Sequence, residues 1–378
     1  MKSKWLLSML TILTALAGCE NEPVMVGSNT EALEINKVDI LFVVDNSQSM
    51  EGLQTELPAL LEAFIAGSDE PGMERPELTD IHLATISTNM GAGGVPEIPS
   101  CEGIGDDGLF IELKSEDLAQ CNSDVGNFIT YDDGTSEITT ELAASCLPSV
   151  GTDGCGFEHP LEAMLKALWP AGDSAVEFAD GEGHGGAEND GFLREDSLLV
   201  VIVVSDEDDC SASDSSIFEP ASSNTGLNTR CATNPDALFD VERYVQGLKD
   251  LREAENDPIV FVALAGVPPE LAEAQGNVDL SDAEEVEAYY DEVLDADAMQ
   301  IAIEENGTPD VLEDDNIMPS CMKAGTEPNQ GTDKSYPPRR LVQVAKAFGS
   351  AGVLGSLCGE DFSSAMGGVI RATAEKLP

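Results

Sequence analysis

Residues 38–50 read VDILFVVDNSQSM. The first seven are mostly apolar and rich in β-branched side chains, a pattern that predicts a buried strand. Asp45, Ser47 and Ser49 follow directly, so that one carboxylate and two hydroxyl groups lie at the carboxyl end of this strand. In open α/β sheets ligands bind at that end of the strands. Oxygen ligands suit a hard divalent cation, so we expect Mg²⁺ here, or alternatively Mn²⁺ or Ca²⁺.

A second apolar run supports the same site. Residues 198–204 read LLVVIVV and are followed by SDEDD. The D-x-S-x-S signature after the first strand, together with Asp206 after the second, resembles the metal-ion-dependent adhesion site of von Willebrand factor type A domains. The resemblance implies that Ser47 and Ser49 bind the metal directly, while Asp45 and Asp206 act largely through water. It also implies an open coordination position for a carboxylate of a protein partner.

One ligand of that family has no counterpart here. The family normally adds a threonine just ahead of a proline and a leucine that open a helix, whereas residues 156–161 read GFEHPL. Glu158 or His159 therefore stands in the place of the threonine. A Glu158 carboxylate would neutralise the cation and weaken its attraction for an external ligand. Alternatively, Glu158 caps the helix and His159 fills the wall of the site, and the sequence leaves both alternatives open.

The charge balance excludes one class of partner. The 378 residues include 72 acidic and 18 basic side chains, which gives a formal net charge of −54. Such a surface repels nucleic acid and offers no polybasic patch to a membrane. Hydrophobic residues make up 42% of the chain, enough for a real core. We therefore expect a folded protein of one large or two ordinary domains.

The first residues predict export and a lipid anchor. Two lysines precede the apolar run 5–17, which is too short to span a bilayer but fits the core of a signal peptide. Residues 16–19 read LAGC and look like the lipobox of bacterial lipoproteins. This resemblance implies a diacylglyceryl group on Cys19, whose two chains suffice for stable anchoring; an ordinary secretory signal is the alternative. Glu20 follows where an aspartate would signal inner-membrane retention in some Gram-negative bacteria, which favours the outer membrane of the cell envelope.

The cysteines predict an oxidising compartment. Nine are present, and assigning Cys19 to lipid leaves eight, an even number consistent with disulfides. The sequence contains no C-x-x-C pair, so a zinc site is not expected. Cys210 and Cys231 flank one short loop that closes at little entropic cost, and Cys321 and Cys358 are expected to tie an insertion to the last strand. The other four should pair among themselves: Cys101, Cys121, Cys146 and Cys155.

Strand patterns alternate with helical patterns along the chain. This order predicts an α/β protein with a Rossmann-like, doubly wound and mostly parallel sheet covered by helices on both faces. The expected strands are residues 38–44, 81–87, 198–204, 259–265 and 353–356, with two short ones at 110–113 and 128–131. The expected helices are residues 161–168, 234–251, 283–294, 339–348 and 362–376, with a further helical stripe at Leu57, Leu60, Leu61 and Phe64.

The same patterns divide the chain into three parts. Residues 1–18 are the expected signal peptide, and residues 19–36 are a polar tether. Residues 37–377 form the expected type A domain, which is interrupted by disulfide-rich insertions at about 91–155 and 267–335.

The expected function is binding rather than catalysis. Ser47 and Ser49 have no histidine near them in the sequence, although His159 could approach in space, and no phosphate-binding glycine loop occurs. We therefore expect a non-enzymatic, lipid-anchored envelope protein that binds a protein partner through an adhesion-type divalent-cation site. The alternative is a structural envelope lipoprotein whose metal site is vestigial or merely stabilising.

Overall fold

The computed structural model of the protein has a mixed α/β fold with helices packed on a mostly parallel central sheet. It describes residues 37–54, 80–95, 98–112, 127–132, 150–219, 226–252, 258–304, 316–323, 334–359 and 363–376.

The strands and helices are numbered in chain order. The strands are β1 (Lys37–Val44), β2 (Asp80–Ser87), β3 (Ile129–Asp132), β4 (Leu198–Val204), β5 (Ile259–Ala265), β6 (Ile303–Glu304), β7 (Asn316–Ile317), β8 (Cys321–Met322), β9 (Lys334–Ser335) and β10 (Gly352–Ser356). The helices are α1 (Glu51–Gln54), α2 (Pro160–Leu168), α3 (Arg230–Thr233), α4 (Glu242–Leu251), α5 (Pro269–Ala274), α6 (Ala283–Asp295), α7 (Arg339–Ala347) and α8 (Ser363–Lys376). None of these helices is long and apolar enough to cross a membrane.

The central sheet has six strands among the described residues, in the order β10-β5-β4-β1-β2-β3. All neighbouring pairs are parallel except β2 and β3, which are antiparallel at the edge. β1 and β4 are adjacent and in register to their last residues, with Val44 opposite Val204. The loops that leave these two strands therefore begin side by side at the carboxyl edge of the sheet.

Both faces of the sheet are covered, which explains why its central strands are almost continuously apolar. Ile40 and Phe42 of β1 belong to one buried cluster, together with residues of α8. Leu41 and Val43 belong to the opposite cluster, together with residues of α2, α4, α6 and α7. Full burial of each such side chain contributes about 1.5–3 kcal/mol to folding.

β1 also buries one charged side chain. Asp39 is fully buried and accepts hydrogen bonds from Arg194 Nε at 2.7 Å, Arg194 N at 2.8 Å and Ser197 Oγ at 2.6 Å. A buried carboxylate is tolerated when its lone pairs are used in this way. The contacts of Asp39 with Arg194 and Ser197 fix the segment that leads into β4 against the amino-terminal half of β1.

The expected strand at 110–113 is wrong over its described part. Residues 110–112 have no regular structure. Ile111 N donates to Thr85 O of β2 at 2.9 Å, but Phe110 N donates to the side chain of Asn189 at 3.1 Å, so that no continuous strand pairing forms. The strand expected at 128–131 is present as β3. The helical stripe at 57–64 lies outside the described residues.

The helix expected at 234–251 begins later, at Glu242. Leu238 has an extended backbone and forms a β-bridge with Ala212, which removes it from the helix. Asp240 Oδ1 accepts a hydrogen bond from Glu242 N at 2.9 Å and so serves the new helix start. A long-range backbone pairing thus overrides a local helical pattern.

Disulfides join three pairs of the described cysteines: Cys101–Cys155, Cys210–Cys231 and Cys321–Cys358. The second and third are the pairs expected from the sequence, and the first lies within the group of four that was expected to pair internally. Cys19, Cys121 and Cys146 lie outside the described residues. The Cys321–Cys358 bridge ties the β8 hairpin to the end of β10.

Candidate functional site

Asp45 is the first residue after β1 and is fully buried at the carboxyl edge of the sheet. Its backbone N–H donates to Val204 O at 2.9 Å, which continues the pairing with β4. Its two carboxylate oxygens accept hydrogen bonds from Ser47 N at 2.8 Å and Ser205 Oγ at 2.7 Å. Burial raises the pKa of Asp45, and these hydrogen bonds oppose the shift. The carboxylate is therefore fixed by its own turn and by the neighbouring loop.

The two serines connect Asp45 to the second loop. Ser47 Oγ and Ser49 Oγ are 2.9 Å apart and hydrogen-bonded, and Ser49 Oγ donates to Asp206 Oδ1 at 3.1 Å. The four residues expected from the sequence to form one site are thus in contact. Ser49 is partly exposed while the others are buried, so the cluster opens to solvent on the Ser49 side.

Asp206 and Glu158 each bury an oxygen that has no hydrogen-bond partner. These atoms are Asp206 Oδ2 and Glu158 Oε1. Burial, followed by the negative charges of Asp45 and Glu207, raises the pKa of Asp206 well above its usual range. An unpaired buried acceptor costs about 1–3 kcal/mol, and more when it is charged. A proton or a cation at these oxygens would remove this cost.

Glu207 was not expected from the sequence to belong to this site. Its carboxyl group is hydrogen-bonded to that of Glu158, and burial raises the pKa of Glu207 to about 7. Burial and the charge of Glu207 raise the pKa of Glu158 well above its usual range. Both shifts favour the protonated form of the carboxyl group concerned. The only sequence signal was an acidic residue next to Asp206, which by itself does not show the direction of the side chain.

Glu158 does not cap α2, contrary to one of the two open alternatives. The start of α2 is capped by Asp209 Oδ1, which accepts from Leu161 N at 3.0 Å, and by Ser211 Oγ, which accepts from Glu162 N at 3.1 Å. Because distant side chains satisfy the helix start, the carboxyl group of Glu158 is left to the acidic cluster.

The His159 side chain is buried against an aromatic ring. Its ring stacks on Phe218 with centroids 5.5 Å apart, and burial lowers its pKa to about 4. Its backbone N–H donates to Thr88 O at 3.0 Å, while Nε2 has no partner among the described residues. The imidazole is therefore neutral at pH 7.

The four acidic residues at 206–209 have two different functions. Asp208 accepts hydrogen bonds from Arg340 N at 3.0 Å and Leu341 N at 3.4 Å at the start of α7. Asp209 pairs with Arg340 Nε at 3.0 Å. These two acids hold helices in place, and only Asp206 and Glu207 are left for the candidate site. The run is not a solvated surface, because Asp206 and Asp209 are 0% and 2% exposed.

The donor set fits a hard divalent cation. Two serine hydroxyls, an aspartate held by two hydrogen bonds and two unpaired carboxylate oxygens meet in one region, and hydroxyl and carboxylate oxygens are the ligands that Mg²⁺ accepts. Among the described residues, no group of three or more His, Cys, Asp or Glu side chains has a metal-binding arrangement of its own. Any cation here would therefore depend on the serine oxygens as well as the carboxylates.

A cavity of about 420 Å³ adjoins the acidic cluster. Glu158 and Glu207 line its inner side, and apolar side chains including Leu227 and Ile317 line other parts. The volume lies within the range of about 300–1,000 Å³ that is typical of ligand pockets. The Cys210–Cys231 disulfide forms part of the wall.

Comparisons with protein-family models, with curated proteins and with solved structures gave no match. The assignment of a function therefore depends on the site itself.

Proposed function

We infer that this protein is a lipid-anchored component of a bacterial cell envelope, with a von Willebrand factor type A domain that binds a protein partner through a divalent cation. The observation that carries the proposal is the contact chain from Asp45 through Ser47 and Ser49 to Asp206. It lies where two parallel strands end together, which is the position of ligand sites in open α/β sheets. Mg²⁺ is the proposed ion, with Mn²⁺ or Ca²⁺ as substitutes.

Within this proposal each residue has a role. Ser47 and Ser49 supply hydroxyl ligands, and Asp206 supplies the carboxylate oxygen that otherwise has no partner. Asp45 holds the turn and the Ser205 hydroxyl through its hydrogen bonds. A carboxylate of the partner protein occupies the remaining coordination position, as the resemblance implies.

Glu158 regulates that position. It stands where the resembled family has a threonine, and one of its oxygens is buried without a partner. Its carboxyl group competes with the partner's carboxylate for the cation. If the Glu158 carboxyl group always occupies the coordination position, the site only stabilises the fold, as in the structural alternative. The Glu158→Gln variant separates the two through the ion itself: the Mn²⁺ affinity should fall if the Glu158 carboxyl group occupies the position permanently, and should be unchanged if the position is open to a partner.

The anchor and the location rest on the sequence of residues 16–19. A diacylglyceryl group on Cys19 attaches the chain to the membrane, with the outer membrane favoured by Glu20. With a net charge of −54, the chain does not bind nucleic acid.

Direct metal binding tests the central proposal. Mn²⁺ titration followed by electron paramagnetic resonance should show one bound ion per chain, which Mg²⁺ displaces. Asp45→Ala should abolish this binding, while Asp190→Asn, which changes an exposed acid, should not. Equal Mn²⁺ binding by wild type and Asp45→Ala would refute the metal site. Capture of envelope proteins with Mg²⁺, with chelator and after re-addition of Mg²⁺ then tests whether partner binding needs the ion.

A further inference from the structure

The cavity beside the acidic cluster has walls of two kinds. Its inner side carries Glu158 and Glu207, whereas Leu227, Ile301 and Ile317 provide apolar surface. Beside it, residues in and next to the antiparallel pair of strands β6 and β7 expose large apolar side chains. Ile301 is 37% exposed, Ile303 38% and Met318 50%. A patch of this kind on an otherwise acidic surface is typical of a contact with another protein.

The basic side chains that line the cavity are already engaged. Arg340 pairs with Asp209 at 3.0 Å and donates to Phe239 O at 2.7 Å. Arg339 donates to the carbonyl oxygens of Leu294 at 2.7 Å and Met299 at 2.9 Å. These cations hold neighbouring backbone and carboxylate groups, so they do not neutralise the inner side.

The acidic inner side lacks a counter-charge. None of Asp45, Glu158, Asp206 and Glu207 has a Lys, Arg or His ion-pair partner in the part of the chain that the structure describes. Glu158 is 1% exposed, lines the cavity and keeps Oε1 without a hydrogen bond. This buried oxygen can therefore accept a hydrogen bond from a donor outside the chain.

The four carboxyl groups lie together in a poorly solvated site, where like charges interact strongly. A partner that brought only a carboxylate would add to this repulsion. A partner that also brings a positive charge would offset it.

We propose that the cavity binds a lysine side chain of the protein partner, with the ammonium group on Glu158 and Glu207 and the alkyl chain along the apolar wall. This deepens the function proposed above and rests on it. Lysine fits better than arginine because the carboxyl groups of Glu158 and Glu207 are hydrogen-bonded to each other. Neither therefore has both oxygens free for a bidentate contact with a guanidinium group. The exposed apolar side chains beside the cavity favour a protein source over a free polyamine.

Methyl-resolved NMR tests this directly, because isoleucine and leucine methyl groups line the cavity. The probes are N-acetyl-lysine-N-methylamide, its Nε-acetylated form and spermidine, each added to the mature protein with Mg²⁺. The capped lysine should shift the methyl signals of Leu227, Leu238, Ile301 and Ile317 in a saturable way. Ile86, buried in β2, should not respond. The Nε-acetylated probe should give no saturable shift.

Matched variants test whether the ammonium group of the probe contacts Glu207. Glu207→Gln should weaken the capped lysine by about fivefold or more, since a charge-assisted hydrogen bond becomes a neutral one. Glu273→Gln, at an exposed position of α5, should leave the affinity unchanged. Equal shifts by the acetylated and unacetylated probes would overturn the proposal, and so would binding of spermidine without binding of the capped lysine. These probe comparisons hold even if Glu207→Gln fails to fold.

The result is separable from the proposed metal function. If Mn²⁺ binds but the capped lysine does not move the cavity methyls, the lysine site is wrong and the metal site stands. If the lysine probe binds while Mn²⁺ does not, the cavity stands and the cation-dependent function fails.

Discussion

Asp206→Asn should change stability in opposite directions without and with Mg²⁺. In the metal-free protein, Asp206 is fully buried, one of its oxygens has no partner, and Asp45 and Glu207 are close enough to raise its pKa. Asparagine keeps the shape and can still accept the hydrogen bond that Ser49 donates at 3.1 Å. It removes one negative charge from a cluster of like charges, so the metal-free variant should be more stable than wild type.

The size of both effects can be estimated. Removal of a buried carboxylate, and of its repulsion by Asp45 and Glu207, should contribute about 1 kcal/mol, which raises the melting temperature by about 2–4 °C. A cation at a hundred times its dissociation constant stabilises the wild type by about 2.7 kcal/mol, or about 5–10 °C. The variant should lose most of this gain. Wild type should therefore melt below Asp206→Asn in chelator and above it in saturating Mg²⁺.

Differential scanning calorimetry at pH 7 measures both terms. Chelator, Mg²⁺ and Mn²⁺ series should be run on wild type, on Asp206→Asn and on the exposed control Asp190→Asn. The control should follow wild type in every series. An equal Mg²⁺-induced rise in wild type and Asp206→Asn would refute the argument, as would a metal-free variant that melts below wild type.

Three further changes test other parts of the chain. Asp39→Ala removes the buried acceptor of Arg194 and Ser197, while Arg194 keeps its ion pair with Asp80, so the variant should lose about 1–3 kcal/mol in urea unfolding; a loss below about 0.5 kcal/mol contradicts a structural role for Asp39. A hydrogen bond to Asp107 raises the pKa of His184 above its unfolded value, so its stabilisation is complete below about pH 6 and is lost as the pH rises through the folded pKa. The stability difference between wild type and His184→Gln should accordingly shrink from pH 6 to pH 8. A difference that grows over this range would contradict a raised pKa of His184 in the folded protein. Cys19→Ser should release soluble protein or leave uncleaved precursor, whereas unchanged membrane fractionation would exclude the lipid anchor.

The central strands were predictable because their signal is local. A run such as 198–204 is apolar at every position, which fits a strand buried on both faces. β1, β4 and β5 were expected within one residue of where they lie. The start of α4 was not predictable, because the β-bridge of Leu238 with Ala212 depends on a loop elsewhere in the chain.

The candidate site was predictable in part for the same reason. Asp45, Ser47 and Ser49 follow one strand at fixed spacing, and Asp206 follows another, so any parallel pairing of these strands brings them together. The role of Glu158 was left open because it depends on what caps α2. Asp209, which is 48 residues from the helix N–H that it accepts, supplies that cap. No local pattern contains this information.

The sequence by itself therefore determined the strands, the metal-type signature that follows them and the expected export signal, because each depends on residues close together in the chain. Only the tertiary structure decided which acids of 205–209 face the site and which hold helices, and it alone brought Glu158 to Glu207 beside a cavity. The physical reason is that a side chain's direction in a loop is set by contacts across the fold. The hydrogen bond from Ser49 to Asp206 spans 157 residues of sequence.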